Sequence, residues 1–243
     1  MTAYDYEGQR FCNYQNSNTV LEAMEKPPSW PMSVKDDDGY YIVRWKVDAY
    51  LPQFTRDVYR AIIKTAFGMW EGICGIRFVE DDNSGRGGLR FGLYPDARPG
   101  GVLADCEVPW DRGPQSASRM RGDEWLNLRV DYREAWSNSQ NPSNNQIDPV
   151  RTICHEGGHG IGIEHIEEGN LMAPIYSRQI KAPQIGDIRQ AVVRYPIPEK
   201  RPRVNPLPVD PNDPGIQQLF ARFAAANRCV ISENGKDVTL WGG

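Results

Sequence analysis

The 243-residue chain contains only three histidines, and all of them lie in the eleven-residue segment HEGGHGIGIEH. His155 and His159 are four residues apart, so on a helix both imidazoles would project from one face and could share a metal ion. Gly162 permits a sharp turn out of the helix, which would bring His165 round as a third ligand. Three nitrogen ligands leave one tetrahedral position for water, and this arrangement is typical of catalytic zinc.

Glu156 supplies the acid–base group that such a centre needs. It directly follows the first ligand, so its carboxylate would lie to the side, within reach of a water molecule on the metal. Zinc lowers the pKa of such a water to about 7 and polarises a carbonyl group, so Glu156 can act as a general base and later protonate a leaving amine. A chance HExxH pattern on a buried helix is the alternative, which the third histidine at the right offset disfavours.

Local helix propensity does not explain the histidine segment. Gly157, Gly158 and Gly160 each cost about 1 kcal/mol relative to alanine in a helix interior. We therefore expect metal coordination and tertiary packing, not intrinsic propensity, to hold this part of the chain in place.

The composition is that of a globular protein without an obvious charged partner. Hydrophobic residues make up 40% of the chain, with seven Trp and eleven Tyr, and the net charge is −4. This balance gives no reason to expect binding to nucleic acid or to an anionic membrane, and no apolar run approaches the roughly 18 residues of a membrane helix. The N-terminus lacks the pattern of a secretory signal. We thus expect a soluble protein that acts where it is made, leaves by another route or has been trimmed.

Hydrophobic periodicity predicts alternating strands and helices. The first predicted strand is half-buried, with Val43, Trp45 and Val47 on its buried face. A helix that Thr55 can cap follows, with an apolar stripe of Val58, Ile62, Ile63, Ala66, Met69 and Trp70. Further strands are predicted at IRFVE, GGLRFGLY, GVLADCEVP and LNLRVDY, and a second helix begins near Pro149. A third helix is predicted at IGDIRQAVVRYP, with Ile188, Val192 and Tyr195 on one face.

Four regions follow along the chain. Residues 1–38 form a polar N-terminal extension and residues 39–196 the main domain. A proline-rich, semi-rigid linker covers 197–214, and a tail of one amphipathic helix and a hairpin around Asn234-Gly235 covers 215–243. The five cysteines are an odd number without a CxxC pair, so free thiols are favoured over a disulfide framework or a thiolate zinc site.

The sequence resembles the metzincin metallopeptidases, and among them the matrixins. Every fixed position of the family's HExxHxxGxxH signature is matched, and Met172 in LMAPIY is similar to its Met-turn. The resemblance covers roughly residues 29 to 196 and implies an α+β, zincin-like domain with a twisted, mixed five-stranded sheet and about three helices. It also implies that Met172 forms an apolar base beneath the metal.

The same resemblance implies where a polypeptide substrate would lie. Pro174, Ile175 and Tyr176 would form the wall of the pocket for the residue after the cleaved bond. Leu103 and Ala104 would offer backbone hydrogen bonds to an extended peptide, which adds as a strand to the edge of the sheet.

The chain also departs from the family. Matrixins usually hold a second, structural zinc with a histidine at the position of Asp105, and no histidine is left for it here, so we expect one catalytic zinc and no structural zinc. A calcium site and solvated loop carboxylates are equally consistent with the oxygen donors Asp81, Asp82, Asp96, Asp105, Asp123 and Glu124. The family keeps its enzymes latent with a propeptide cysteine in a short Arg-Cys-Gly-type motif. The segment RFCNYQ contains Arg10 and Cys12 but lacks the rest of this motif. A packed or free Cys12 thiol is therefore favoured over inhibition by a Cys12 thiolate on the zinc.

Two functions are therefore compared. The first is a zinc-dependent endopeptidase that cleaves an extended polypeptide. The alternative is a structural or assembly component that keeps the metallopeptidase body and docks into a larger particle through residues 197–243. The complete ligand set and Glu156 favour the enzyme, because a scaffold has no need of a base.

Overall fold

The computed structural model describes residue 7 and the ranges 35–81, 87–94, 101–107, 125–139, 141–198, 230–233 and 236–239. The strands are β1 (Tyr41–Val47), β2 (Ile76–Glu80), β3 (Gly88–Tyr94), β4 (Ala104–Cys106), β5 (Trp125–Asp131), β6 (Val230–Glu233) and β7 (Lys236–Thr239). The helices are α1 (Arg56–Glu71), α2 (Pro149–Gly160) and α3 (Ile185–Arg194). The α+β class, with five main strands and three helices in this part of the chain, agrees with the prediction.

The main sheet has the strand order β2-β1-β3-β5-β4. Its neighbours pair in parallel except β4, which runs antiparallel to β5 at the edge. In β1 the side chains alternate as predicted, because Val43 and Trp45 are fully buried and Arg44 is half-buried. The sheet is thus mixed, and β4 and β2 are its two edge strands.

Helix α1 begins and packs as its sequence predicts. The hydroxyl of Thr55 accepts a hydrogen bond from the backbone N–H of Val58 at 3.3 Å, which satisfies one of the first-turn donors. The apolar stripe faces the core, and α1 packs against α2. Between the two helices, the indole N–H of Trp70 donates to the carbonyl oxygen of Cys154 at 2.8 Å.

Gly158 lies where α2 approaches its neighbours most closely. A Cβ atom at this position would lie 2.4 Å from the sulfur of Met172 and 2.9 Å from the indole ring of Trp70. Both distances are well below van der Waals contact, which for carbon atoms is about 3.5–4.0 Å. Close packing therefore explains why a poor helix former occupies the middle of this helix.

The apolar face predicted for α3 is not the side of the helix that is buried. Tyr195 is buried, but Val192 is 36% exposed and Ile188 is only half-buried. The side of the helix that faces the core instead carries Asp187, Gln190, Ala191 and Arg194. One of these polar residues, Asp187, accepts hydrogen bonds from backbone N–H groups of a distant turn, a contact that apolar periodicity does not show.

The structure also tests part of the predictions on the cysteines and the C-terminal tail. Cys74, Cys106 and Cys154 are buried free thiols, as predicted. The antiparallel pairing of β6 with β7 agrees with the predicted hairpin around Asn234-Gly235. The turn itself, Cys12, Cys229, most of the linker and the predicted tail helix lie outside the described residues. Within the described part, no helix has the length and apolar character needed to cross a membrane.

Candidate metal centre and active site

Helix α2 presents the first two histidines from a well-capped N-terminus. The carboxylate of Asp148 accepts hydrogen bonds from the N–H groups of Val150 at 3.0 Å and Arg151 at 3.3 Å. Pro149 occupies the start of the helix, where an N–H donor is not needed. Further along, His155 and His159 are completely buried and their ring centroids lie 4.9 Å apart. The four-residue spacing therefore brings both imidazoles to one face, as predicted.

A tight turn brings the third histidine to the same place. Gly162 has a φ of 86°, in the left-handed region that favours glycine. Its N–H donates to the carbonyl of His159, and the N–H of Ile163 donates to the carbonyl of Gly158, each at 2.8 Å. These two bonds form a Schellman-type helix end. The chain then reverses so that the Nε2 atoms of His159 and His165 lie 3.2 Å apart.

Backbone carbonyls fix which ring nitrogen of two histidines faces the centre. The Nδ1 of His155 lies 2.8 Å from the carbonyl oxygen of Leu171, and the Nδ1 of His159 lies 2.8 Å from that of Ile163. A carbonyl oxygen can only accept, so each Nδ1 carries the proton and each Nε2 keeps its lone pair. Burial lowers the pKa of His159 to about 3 and that of His155 well below its usual value. Both rings are thus held in the neutral form that binds metals.

The donor set fits one zinc ion. One ligand atom from each of the three histidines lies within 4.8 Å of the others. Zinc–nitrogen bonds of about 2.0–2.1 Å in a tetrahedron place two ligand atoms about 3.3–3.4 Å apart. The 3.2 Å separation between the Nε2 atoms of His159 and His165 is close to this value.

Glu156 adds a buried carboxylate beside the ligands. The residue is completely buried, and neither carboxylate oxygen has a hydrogen-bond partner among the described residues. Burial raises the pKa of Glu156 well above its usual value, and the negative charge of Asp105 raises it further. A buried acceptor without a partner is costly, so this side chain would be stabilised by a ligand that donates a hydrogen bond to it.

The comparison with known proteins agrees with this centre. A family model described as Matrixin matches residues 39–191. The chain belongs to the matrixin family. Matrix metalloproteinase-C of Caenorhabditis elegans is 26% identical over 143 residues, which are 55% of this chain and 23% of the relative. The chain thus spans about a quarter of that relative's length. Matrixins are zinc metallopeptidases, and the histidine triad of this matrixin fits a catalytic zinc site.

The Met-turn segment of this matrixin is held by an acid that sequence reasoning missed. Met172 is completely buried. The carboxylate of Asp187 accepts hydrogen bonds from the N–H groups of Leu171 at 2.8 Å, Met172 at 3.0 Å and Gln184 at 2.6 Å. Because the carbonyl of Leu171 in turn accepts from His155, Asp187 positions the acceptor that orients a ligand. In the sequence, Asp187 could be recognised only as an acid in the first turn of a predicted helix, which indicates a helix start and no contact with the Met-turn.

Asp187→Ala is expected to lower the free energy of unfolding by about 2–4 kcal/mol, because buried backbone N–H groups lose a charged acceptor. Zinc affinity should fall about tenfold as the Leu171 carbonyl shifts, as is typical for groups behind the ligands. Urea unfolding in saturating zinc and a competitive zinc titration measure the two effects. Arg189→Ala, on the exposed side of the same helix, is the matched control and should change stability by less than about 0.5 kcal/mol. Equal effects of the two variants would contradict this role.

The residues predicted to bind substrate belong to two separate segments of the chain. Leu103 and Ala104 are buried, and Ala104 opens the edge strand β4. The carbonyl of Leu103 accepts from the N–H of Asp131 at 3.0 Å, so this group serves the sheet. Because backbone direction alternates along an antiparallel strand, the N–H and C=O of Ala104 point away from β5.

The predicted pocket wall is formed by residues of different exposure. Ile175 is 38% exposed, Pro174 is half-buried and Tyr176 is buried. The hydroxyl of Tyr176 accepts a hydrogen bond from the N–H of Asp148 at 3.2 Å, at the start of α2. The wall is therefore tied to the helix that carries the ligands, and its role toward substrate stays a prediction.

An ion pair occupies the position where related proteins are expected to bind a second zinc. The carboxylate of Asp105 in β4 binds the guanidinium of Arg129 in β5 through two contacts, of which Nε–Oδ1 measures 3.0 Å. The ion pair ties the edge strand to its neighbour. Asp81, another candidate calcium donor, is paired with Arg44 at 3.2 Å. The other candidates, Asp82, Asp96, Asp123 and Glu124, lie outside the described residues.

Proposed function

We propose that this matrixin is a zinc-dependent endopeptidase that hydrolyses extended polypeptides. The observation that carries the proposal is the pairing of neutral imidazole ligands with Glu156, whose buried carboxylate oxygens have no hydrogen-bond partner among the described residues. A binding protein without activity has no use for such a carboxylate, whereas a hydrolase needs a base at this point.

Different residues of the chain have different roles in the proposed hydrolysis. When bound, zinc lowers the pKa of a water molecule and polarises the scissile carbonyl. Glu156 accepts a proton from the attacking water and delivers it to the amide nitrogen as the C–N bond breaks, so protons balance over the cycle. The carbonyls of Leu171 and Ile163 keep the ligand rings oriented. The backbone of Ala104 aligns the peptide along β4.

We further propose one zinc per chain and no structural zinc. All three histidines of the chain belong to the centre. At the position expected for a ligand of a second zinc, Asp105 instead pairs with Arg129. This ion pair supports the edge strand in place of a metal. Calcium binding at the loop carboxylates stays a prediction.

The test is cleavage of an unfolded protein substrate by the purified chain, with and without a chelator. We expect cleavage that the chelator abolishes and added zinc restores, together with one zinc per chain by elemental analysis. Cleavage that resists the chelator would contradict the zinc mechanism. Two zinc ions per chain would contradict the single-site proposal and leave the peptidase function standing.

A further inference from the structure

A carboxylate from the start of the chain lies against the loop that follows the pocket wall. The Oε2 atom of Glu7 accepts a hydrogen bond from the backbone N–H of Arg178 at 2.9 Å and lies 3.6 Å from its Nη1. The Arg178 side chain is only 19% exposed, and its Nη2 donates to the carbonyl of Asn144. A backbone N–H beside a fixed guanidinium is a typical arrangement for binding a carboxylate.

This contact lies close in the chain to the predicted wall residues. Arg178 comes two residues after Tyr176, and the guanidinium carbon of Arg151 lies 4.4 Å from the centre of the Tyr176 ring. On α2, Arg151 precedes His155 by four residues, which is about 6 Å along a helix. Arg151 therefore lies about one helical turn from the first histidine and in contact with the Tyr176 ring, and Arg178 follows Tyr176 by two residues.

The fixed charges of this region favour an anion. Arg151, Arg178 and Lys181 are cationic, and Asp148 is anionic but is used to cap α2. Apart from Glu7, these described residues therefore carry three positive charges and one negative charge, an excess of two. Glu7 interacts favourably with the charge of Arg151 as well as with Arg178. Its own side chain is 43% exposed, so another carboxylate can displace it.

We propose that Arg178, supported by Arg151, forms a carboxylate subsite for an acidic side chain of the substrate a few residues after the cleaved bond. In this structure Glu7 stands in for that side chain. This proposal rests on the proposed peptidase function, since it assigns the substrate class of the same cleft. It makes the preferred substrate a polypeptide with Asp or Glu downstream of the cleavage point.

The experiment compares peptide pairs that differ by one Glu or Gln at successive positions after the cleaved bond. We expect kcat/KM to be roughly three- to tenfold higher for Glu at one position, the gain of a partly exposed, charge-assisted contact. Arg178→Gln should remove this preference. Glu7→Gln should raise kcat/KM for the Glu peptides, because the internal competitor loses its charge. Arg189→Gln, an exposed arginine on α3, is the control and should keep the preference.

Binding separates this proposal from the proposed activity. The same peptides, fluorescently labelled, are titrated with the zinc-loaded Glu156→Gln variant and with its Arg178→Gln double variant. Tighter binding of Glu peptides that depends on Arg178 supports the subsite even if no peptide is cleaved by the unmodified chain. Equal binding and equal cleavage of Glu and Gln peptides at every position, also in Glu7→Gln, would overturn the subsite and leave the peptidase function standing.

Discussion

Glu156→Gln is expected to slow peptide hydrolysis by about two to four orders of magnitude, the usual contribution of a general base. Glutamine preserves the size of the side chain but cannot accept the proton from the attacking water. Because the position is buried and its oxygens have no hydrogen-bond partner in the described chain, the neutral amide should fit without loss of folding. The initial rate of cleavage of an unfolded protein, measured at equal zinc loading, provides the test.

The control for this variant is metal content. Glu156→Gln should still bind one zinc per chain, since the ligands and their carbonyl partners are untouched. A variant that lost its zinc would show only that the site had collapsed, so elemental analysis accompanies each rate. Undiminished cleavage by the zinc-loaded variant would contradict the assignment of Glu156 as the base.

Gly158→Ala is expected to lower the free energy of unfolding by about 1–3 kcal/mol, the usual cost of an overpacked core. Helix propensity alone predicts the opposite sign, a gain of about 1 kcal/mol. The added methyl group would lie 2.4 Å from the Met172 sulfur and 2.9 Å from the Trp70 ring, so at least one of these two side chains must shift. Urea unfolding in saturating zinc measures the effect.

A double-mutant cycle identifies the clash. Met172→Ala destabilises by itself because it leaves a cavity, but it also makes room for the methyl group. Gly158→Ala should therefore cost less in the Met172→Ala background than in the original chain, with a coupling of about 1 kcal/mol or more. Additive effects, or a stabilising Gly158→Ala, would contradict the view that packing against Met172 requires glycine here.

Features set by short stretches of chain were predictable from sequence. The cap at Thr55, the shared face of His155 and His159 and the turn at Gly162 each depend on residues within about one helical turn. The structure confirms them in detail. The strands were located by their alternation, but their order in the sheet depends on pairings between distant segments, which periodicity does not encode.

Features set by contacts between distant residues were missed. Apolar periodicity placed Ile188, Val192 and Tyr195 on one face of α3, but it did not indicate that Asp187 is buried and binds backbone N–H groups 15 and 16 residues earlier in the chain. The approach of Glu7 to Arg178 joins residues 171 positions apart. The ion pair between Asp105 and Arg129 joins two strands that only the folded sheet brings side by side. Docking of residues 197–243 to a partner stays a prediction.

Because all three histidines lie at one centre, the histidine signals in an NMR spectrum of this protein report on that centre alone. Proton NMR signals of histidine rings are resolved from most others, and here each of them must come from a member of the triad that fits a zinc site. The Nδ1 protons of His155 and His159, bound to carbonyl oxygens in a buried setting, should exchange slowly with solvent and remain visible. Zinc loading, displacement by other metals and inhibitor binding can therefore be followed ligand by ligand in unlabelled protein.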